Sequence, residues 1–247
     1  MSRNLRLALF GASVLGFAAL LAWGVNALPP FGHYAGPYGD LIVQLAPKQR
    51  HMANTVTAVV FDYRGFDTMG EELLLFAAAS SVALLLRETR EHEVEDVTDV
   101  VKSDAINAAG VLAAVATLLV ALNTVAHGFI TPGGGFQGGV ILAASLVLLF
   151  LCIDYTRYAR LSASTTTEPV EALGAGAYVG LGLLSFAFGL AFLENFMELG
   201  VLGRLSSGGS AILVNWSSAL AVSGGFLVIF GEYLQENMAL RHGKGAK

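Results

Sequence analysis

The sequence predicts an all-α, polytopic membrane protein of about six transmembrane helices with both termini cytoplasmic. Three observations carry this reading. Of 247 residues, 55% are hydrophobic and 13% charged, with a mean hydropathy of +0.64. Soluble domains carry about 25% charged residues, so this chain has too few polar side chains to cover a soluble surface. Six windows approach the roughly 20 apolar residues that a bilayer core requires. The 29 glycines fit as well, because membrane helices tolerate glycine and close helix packing uses it. This composition excludes an ordinary cytosolic enzyme and a disordered tail, and the net charge of -5 argues further against a nucleic-acid partner. A single cysteine, Cys152, excludes a disulfide framework within the chain, a cysteine-based zinc site and an iron–sulfur cluster.

The first window is Leu5–Leu28, closed by Pro29-Pro30. Arg3 and Arg6 before it, and the small-residue spacing of Val25-Asn26-Ala27, imitate a signal peptide. The apolar run is longer than the usual signal core of about 7–15 residues, so a retained first helix is expected. The second window, Glu71–Leu86, is short unless its acidic start dips into the membrane. Ile106–Ala126, Phe136–Ile153, Ala172–Leu193 and Ala211–Leu234 complete the set. Ala53–Phe61 is apolar but too short to cross.

Lysine and arginine placement sets the orientation. With a cytoplasmic N-terminus, Arg3, Arg6, Arg87, Arg90, Lys102, Arg157, Arg160, Arg241, Lys244 and Lys247 fall inside. Lys48, Arg50, Arg64 and Arg204 fall outside. Two unequal parts are expected: a two-helix segment over 1–87 and a four-helix domain over 105–247, joined by an acidic cytoplasmic linker over 88–104. That linker reads as a solvated stretch or as a docking surface for a partner. Ser162–Thr167 reads as a small polar loop.

Ionisable groups at membrane depth are costly, and each is a functional candidate. The first cluster runs Phe61-Asp62-Tyr63-Arg64-Gly65-Phe66-Asp67-Thr68-Met69-Gly70-Glu71-Glu72. Asp62, Arg64 and Asp67 can neutralise one another. Asp67 can act as an N-cap with Glu71 in the first turn, where the helix dipole favours a carboxylate by about 0.3–1 kcal/mol. The plain reading is an acidic helix start; the functional one makes Glu71 a proton or cation relay, with room left by Gly70 and a hydroxyl at Thr68.

The second cluster is His127-Gly128-Phe129-Ile130-Thr131-Pro132-Gly133-Gly134-Gly135-Phe136-Gln137-Gly138-Gly139. Pro132 is expected to stop the incoming helix, and the glycines permit backbone that a side chain forbids. Without a following Lys-Ser/Thr this is not a phosphate loop. It reads as a tight hairpin or as irregular backbone lining a polar cavity, with Gly139 and Ala143 forming a surface for close packing. His127, near a helix end, reads as a structural histidine at an interface or as a member of a proton pathway.

Glu194 and Glu198, and Glu232 and Glu236, share a helical face if the helices continue. They read as residues reaching into the headgroups, with Glu232 the strongest functional candidate because Phe230-Gly231 precede it. Asp154 and Arg157 read as an ion pair at the cytoplasmic edge. No lysine lies within a window, so the chain lacks the lysine–glutamate materials of a complete proton relay and suits one part of a larger complex better than a free-standing transporter. No nucleophile–base pair or metal-ligand spacing is visible, which argues against a free-standing membrane enzyme.

The run Pro132–Gly139 between two short windows resembles the MrpB (MnhB-like) component of Mrp-type multisubunit cation/proton antiporters, over roughly residues 105–240 and including Phe230-Gly231-Glu232. Asn54–Glu71 is similar to the C-terminal region of the large MrpA component of these systems, a region similar to small membrane subunits of membrane-bound hydrogenases. The resemblance implies a membrane subunit, without a cofactor, of a secondary antiporter related to the membrane arm of respiratory complex I. Such a complex exchanges Na+ or other monovalent cations for protons in the plasma membrane of a prokaryote. The implied partners are the A-, C-, D-, E-, F- and G-like components of the antiporter and membrane lipids. Carried over, ion movement involves Asp62, Arg64, Asp67 and Glu71. The family pattern places Gly-His three residues before the proline; here Gly128-Phe129 stand there and His127 lies two residues earlier. The rival readings are a homologous component of a hydrogenase or other redox-driven ion pump, and a purely structural scaffold.

Overall fold

The computed structural model describes residues 3–28, 32, 36–88, 103–150, 152 and 164–243. The acidic linker, save its ends, and the Asp154–Arg157 pair lie outside these residues. The chain divides into two compact units, Met1–Asp40 and Leu41–Lys247.

The first unit holds α1 (Arg3–Asn26), a helix apolar on every side, as a membrane span is. α2 (Pro37–Gln49) begins there and runs on into the second unit. The second unit continues with a short α3 (Thr55–Ala58), a single π-helical turn (Val59–Tyr63), α4 (Gly65–Glu88), α5 (Asp104–Ala126), α6 (Gly135–Phe150), α7 (Ser164–Ala187) and α8 (Ala211–Gly243). Among the described residues five helices, α1, α4, α5, α7 and α8, are long and apolar enough to span a membrane; α6 is apolar but has 16 residues. The protein is therefore a multi-pass integral membrane protein.

Several boundaries differ from expectation. α4 starts at Gly65, six residues before Glu71, so Asp67 lies inside the first turn rather than capping it. α5 stops at Ala126 and not at Pro132; residues 127–134 form a turn-rich connection. α7 begins at Ser164 and absorbs most of the expected polar loop, with Thr167 buried. It ends at Ala187, so Glu194 and Glu198 lie in the irregular stretch before α8 and share no helical face.

α8 is the central helix of the second unit: 67% of its membrane window is buried, against 11–33% for α4, α5 and α7. Glycines set its neighbours' distances. A Cβ at Gly174 of α7 would lie 2.2 Å from the Ala221 nitrogen, and one at Gly224 would lie 2.5 Å from the Glu171 nitrogen. As one number falls the other rises, so α7 and α8 run antiparallel. Gly135 and Gly139 of α6 meet Asn215 and Ala219 of α8 in parallel register. Gly138 of α6 meets Val125 of α5, and Gly110 of α5 meets Cys152 after α6, so this pair is antiparallel. α4 packs on α8 through Ala79, Ala83 and Val228. Leucines face outward, among them Leu74 (72% exposed), Leu112 (71%) and Leu173 (69%). Such apolar exterior suits lipid or neighbouring membrane helices.

Candidate functional site

At one end of the second unit three segments converge: 50–63, 127–135 and the irregular stretch before α8. Asn54 caps α3 by accepting hydrogen bonds from Val56 and Thr57 nitrogens. Its Nδ2 donates to the carbonyls of Gly128 at 2.8 Å and Thr131 at 2.9 Å. Thr57 Oγ1 donates to Gly128 at 2.7 Å, and the Ala53 and Asn54 nitrogens donate to the Phe129 carbonyl. From the other side Asn215 of α8 accepts from the Gly135 nitrogen at 2.6 Å and donates to the Val125 carbonyl at 3.0 Å. Orphan backbone groups of a buried connection need such partners. Gly133 and Gly134, both at φ 144°, allow the chain to present its carbonyls inward. The backbone of the glycine-rich connection is thus clamped between Ala53, Asn54 and Thr57 on one side and Asn215 of α8 on the other.

Beside this clamp Asp62, its side chain 6% exposed, lies 2.7 Å from Arg50 Nε. Asn195 Nδ2 donates to Asp62 at 3.3 Å and to the Gly208 carbonyl at 2.8 Å. Arg50 stacks over the Tyr63 ring at 5.4 Å. Burial pushes the Asp62 carboxyl up from its ordinary 3.8, against the pull of Arg50 and Asn195. His51 Nδ1 donates to the Gly200 carbonyl at 2.6 Å, bringing the arginine-bearing segment around 200–204 to this same end.

Inward from Asp62, carboxylates recur along the seam of α4, α7 and α8. Glu72 on α4 is 2% exposed, and neither of its carboxylate oxygens has a hydrogen-bond partner. Ser218 of α8 and the buried Tyr178 of α7 stand near it; the Tyr178 hydroxyl donates to the Gly65 carbonyl at 2.9 Å. Glu171 on α7 is also 2% exposed, with Oε1 unpartnered. Its carboxylate lies against Gly225 of α8 and near Leu75 of α4. At the far end Arg87 of α4 binds Glu232 of α8 at 2.5 Å and also pairs with Glu168 of α7. Glu232 is 3% exposed. Ser218, Gly225 and Glu232 are seven residues apart, so the seam steps by about 10 Å per carboxylate level at 1.5 Å rise per residue. That exceeds hydrogen-bond reach of about 3 Å, so any transfer between levels needs water or a mobile ion between them. A cavity of about 640 Å³ opens beside the lower levels, lined by Phe76, Ser80, Arg87, Glu168, Glu171 and Val228 among others.

Of the residues singled out from sequence, Asp62 and Glu232 lie buried on this seam. Arg64 and Asp67 pair with each other on the exposed surface, and Arg64 does not reach Asp62, whose partner is Arg50. Glu71 faces outward while its neighbour Glu72 is buried, the reverse of the order expected from Gly70 and Thr68; Thr68 donates instead to the Val60 carbonyl at 2.6 Å. His127 follows α5 and its Nδ1 donates to the Asn123 carbonyl at 3.1 Å, a structural placement. Glu194 accepts from the Ala191 nitrogen in the irregular stretch. Glu72 was set behind Glu71, and Glu171, Glu168, Arg50 and Asn195 were not singled out as carriers of chemistry; for Glu72 and Glu171 the available signal was an acid followed by an apolar run.

Fold and seam together define a polytopic helical membrane protein with ionisable groups held at membrane depth. The chain belongs to the family related to the MnhB subunit of Na+/H+ antiporters, whose model matches residues 105–228. It is 32% identical over 161 residues to an uncharacterised protein of Methanocaldococcus jannaschii, covering 59% of this chain and 61% of that protein. It is 36% identical over 78 residues to the B-type subunit of the Na+/H+ antiporter of Bacillus subtilis, covering 30% of this chain and 52% of the relative. The chain thus spans about three fifths and about half of these relatives. Among solved structures it is similar to a chain of the membrane-bound sulfane sulfur reductase, an archaeal respiratory membrane complex, with a TM-score of 0.71 and 29% identity over 94% of this chain and 99% of that one. It shares its fold with part of the Mrp complex from Dietzia sp., with a TM-score of 0.70 and 24% identity over 94% of this chain and 26% of that one.

Proposed function

We propose that the chain is a B-type membrane subunit of a multisubunit secondary antiporter that exchanges Na+ or another monovalent cation for protons, and is not an enzyme in its own right. Its partners are the other components of such a complex, and its termini are cytoplasmic. In this reading residues 1–87 act as the part similar to the end of the large MrpA component, and 105–247 as the MrpB-like part. The observation that carries it is Glu72, a buried carboxylate without a partner in a chain of the MnhB family. A carboxylate kept at such depth without a counter-charge is a protonation site by default. Asp62 above and Glu171 and Glu232 below continue the series.

The test is cation-driven proton movement in vesicles carrying the intact complex. Glu72→Gln keeps the shape and removes the proton site; it should lower exchange at least about tenfold, as loss of a positioned proton carrier does, with assembly of the complex unchanged. Glu71→Gln should leave exchange within about twofold. Unchanged exchange in Glu72→Gln with the complex assembled overturns the relay and favours a scaffold.

A second reading rests on the respiratory-complex neighbour, which this chain covers at 99% of its length. There the same seam would serve a redox-driven pump. Co-purification in mild detergent separates the two: redox proteins beside this chain favour the pump, and antiporter-like proteins alone favour exchange.

A further inference from the structure

Serines buried inside the described helices commit their hydroxyls to their own helix. Ser145 donates to the Leu142 carbonyl at 2.7 Å, Ser185 to Leu181 at 3.4 Å, Ser217 to Val214 at 2.7 Å and Ser223 to Leu220 at 3.1 Å. Ser218 of α8 departs from this pattern. It is 0% exposed, and its Oγ has no hydrogen-bond partner. A buried hydroxyl left in this way costs stability. Its donor and its acceptor sites are both free for another group.

The group beside it is Glu72, whose two carboxyl oxygens are equally unpartnered. α4 and α8 run in parallel register here: a Cβ at Gly225 would meet Leu75 Cγ at 3.3 Å, and Ala79 and Ala83 pack on Val228. Helical side chains lean toward the start of their helix, so Glu72 leans toward Ser218 and away from Gly225. The other hydroxyls of the neighbourhood are committed. Tyr178 donates to the Gly65 carbonyl at 2.9 Å, and Thr68, one turn before Glu72, donates to the Val60 carbonyl at 2.6 Å. Of these three hydroxyls that of Ser218 alone is free to serve Glu72.

The glycine-rich motif holds Ser218 from α6. A Cβ at Gly135 would lie 2.9 Å from Ser218 Cβ and 2.1 Å from the Asn215 carbonyl oxygen, so a side chain there would push α8 away at this level. Asn215, one turn earlier on α8, accepts from the Gly135 nitrogen at 2.6 Å and ties α8 to the same point.

We propose that Ser218 is the positioning residue of the Glu72 proton step: its hydroxyl donates to the carboxylate when Glu72 is ionised and turns to accept from the carboxylic acid when Glu72 is protonated, with Gly135 of the glycine-rich motif holding it in place. No covalent bond of the serine breaks at either stage. The carboxyl meets the hydroxyl by rotation about its terminal torsion, which is soft. The inference rests on the reading of Glu72 as a proton carrier.

Infrared spectroscopy of the intact complex in lipid at acid pH tests it. The Glu72 band is the carboxylic-acid C=O stretch that the parent shows and Glu72→Gln lacks. Loss of a hydrogen bond to a carboxylic acid raises that frequency. Ser218→Ala removes a hydroxyl that has no other partner, so the complex should assemble. The Glu72 band should move to higher wavenumber, and cation-driven proton movement in vesicles should fall about tenfold, the weight of one hydrogen bond to a charged group. Ser217→Ala is the matched control, because that hydroxyl serves the Val214 carbonyl; it should leave both readouts unchanged. Ser218→Cys keeps a weak donor and should fall between parent and alanine, which carries the same test if alanine disturbs assembly. A Glu72 band that Ser218→Ala leaves in place overturns the pairing, and slowed exchange beside it leaves Ser218 a packing role alone. A moved band with exchange unchanged, where Glu72→Gln does slow exchange, overturns the role of Ser218 in the step. A moved band where Glu72→Gln leaves exchange intact keeps the pair and overturns the proton-carrier reading. Absence of any band that Glu72→Gln removes overturns both.

Discussion

Asp62 shows how a single carboxyl can be held between opposing influences. Burial raises its proton affinity, while the Arg50 guanidinium 2.7 Å away and the Asn195 amide favour the ionised form. The net direction is upward from 3.8. A carboxyl that holds its proton more tightly folded than unfolded contributes stability below its unfolded value, and that contribution is lost as pH rises through the folded value. Asp62→Asn keeps the shape and removes the ionisation. Its thermal midpoint should therefore gain on the parent protein as pH rises from about 4 toward neutrality, measured on the purified protein in detergent. A difference moving toward the parent instead would make Arg50 the stronger influence. Asp62 was legible in the sequence because an acid flanked by Phe61 and Tyr63 stands out. Its partner was not: Arg64 is two residues away in the chain, but the π-helical turn and the start of α4 direct Arg64 to Asp67, and α2 delivers Arg50.

Helices were easier to read than their faces. Runs of about 20 apolar residues announce spans whatever they pack against, and five of the windows became helices long enough to cross, with α6 the shorter sixth. A helix apolar on every side carries no periodic signal of which face is inward, so nothing along α4 marked Glu72 as buried and Glu71 as exposed. The start of α7 was hidden for another reason: Ser164 to Glu168 is polar and Pro169 follows, a pattern that suits a loop, yet the helix begins at Ser164 and carries Pro169 inside it. The glycine motif was legible as close packing, and its contacts make the claim quantitative. A Cβ at Gly135 would lie 2.1 Å from the Asn215 carbonyl oxygen, and one at Gly138 would lie 2.2 Å from Val125 Cγ2. Gly135→Ala or Gly138→Ala should therefore unseat α6 from α8 or α5, with a loss of thermal stability or of folded protein in the membrane. Gly176→Ala is the matched control, since nothing lies within 4 Å of a Cβ there; it should be neutral or stabilising by up to about 1 kcal/mol through helix propensity.

Across the second unit as a whole, the two ends of the seam are closed by different means. The Asp62 end is held by amide side chains on backbone carbonyls, Asn54, Asn195 and Asn215, which tie three connections together. The opposite end has no such net among the described residues; there one guanidinium joins three helices, α4 through Arg87 itself, α7 through Glu168 and α8 through Glu232. Charge is thus concentrated where the cavity opens, and the fold's cohesion at that end depends on it. Removing Arg87 takes a counter-charge from the buried Glu232 carboxylate; breaking a buried pair costs about 3–5 kcal/mol, and the 40% exposure of Arg87 places this pair toward the low end of that range. Arg87→Leu should accordingly lower the thermal midpoint and speed hydrogen exchange in the last turns of α4 and the first of α7, leaving the Asn54 and Asn215 end unchanged. Glu168, with its side chain 42% exposed, can regain water, whereas Glu232 at 3% cannot. The double variant Arg87→Leu/Glu232→Leu should therefore recover most of the loss, and Arg87→Leu/Glu168→Leu should not. Equal recovery by both would mean that Arg87 acts by its bulk in the seam rather than by neutralising Glu232.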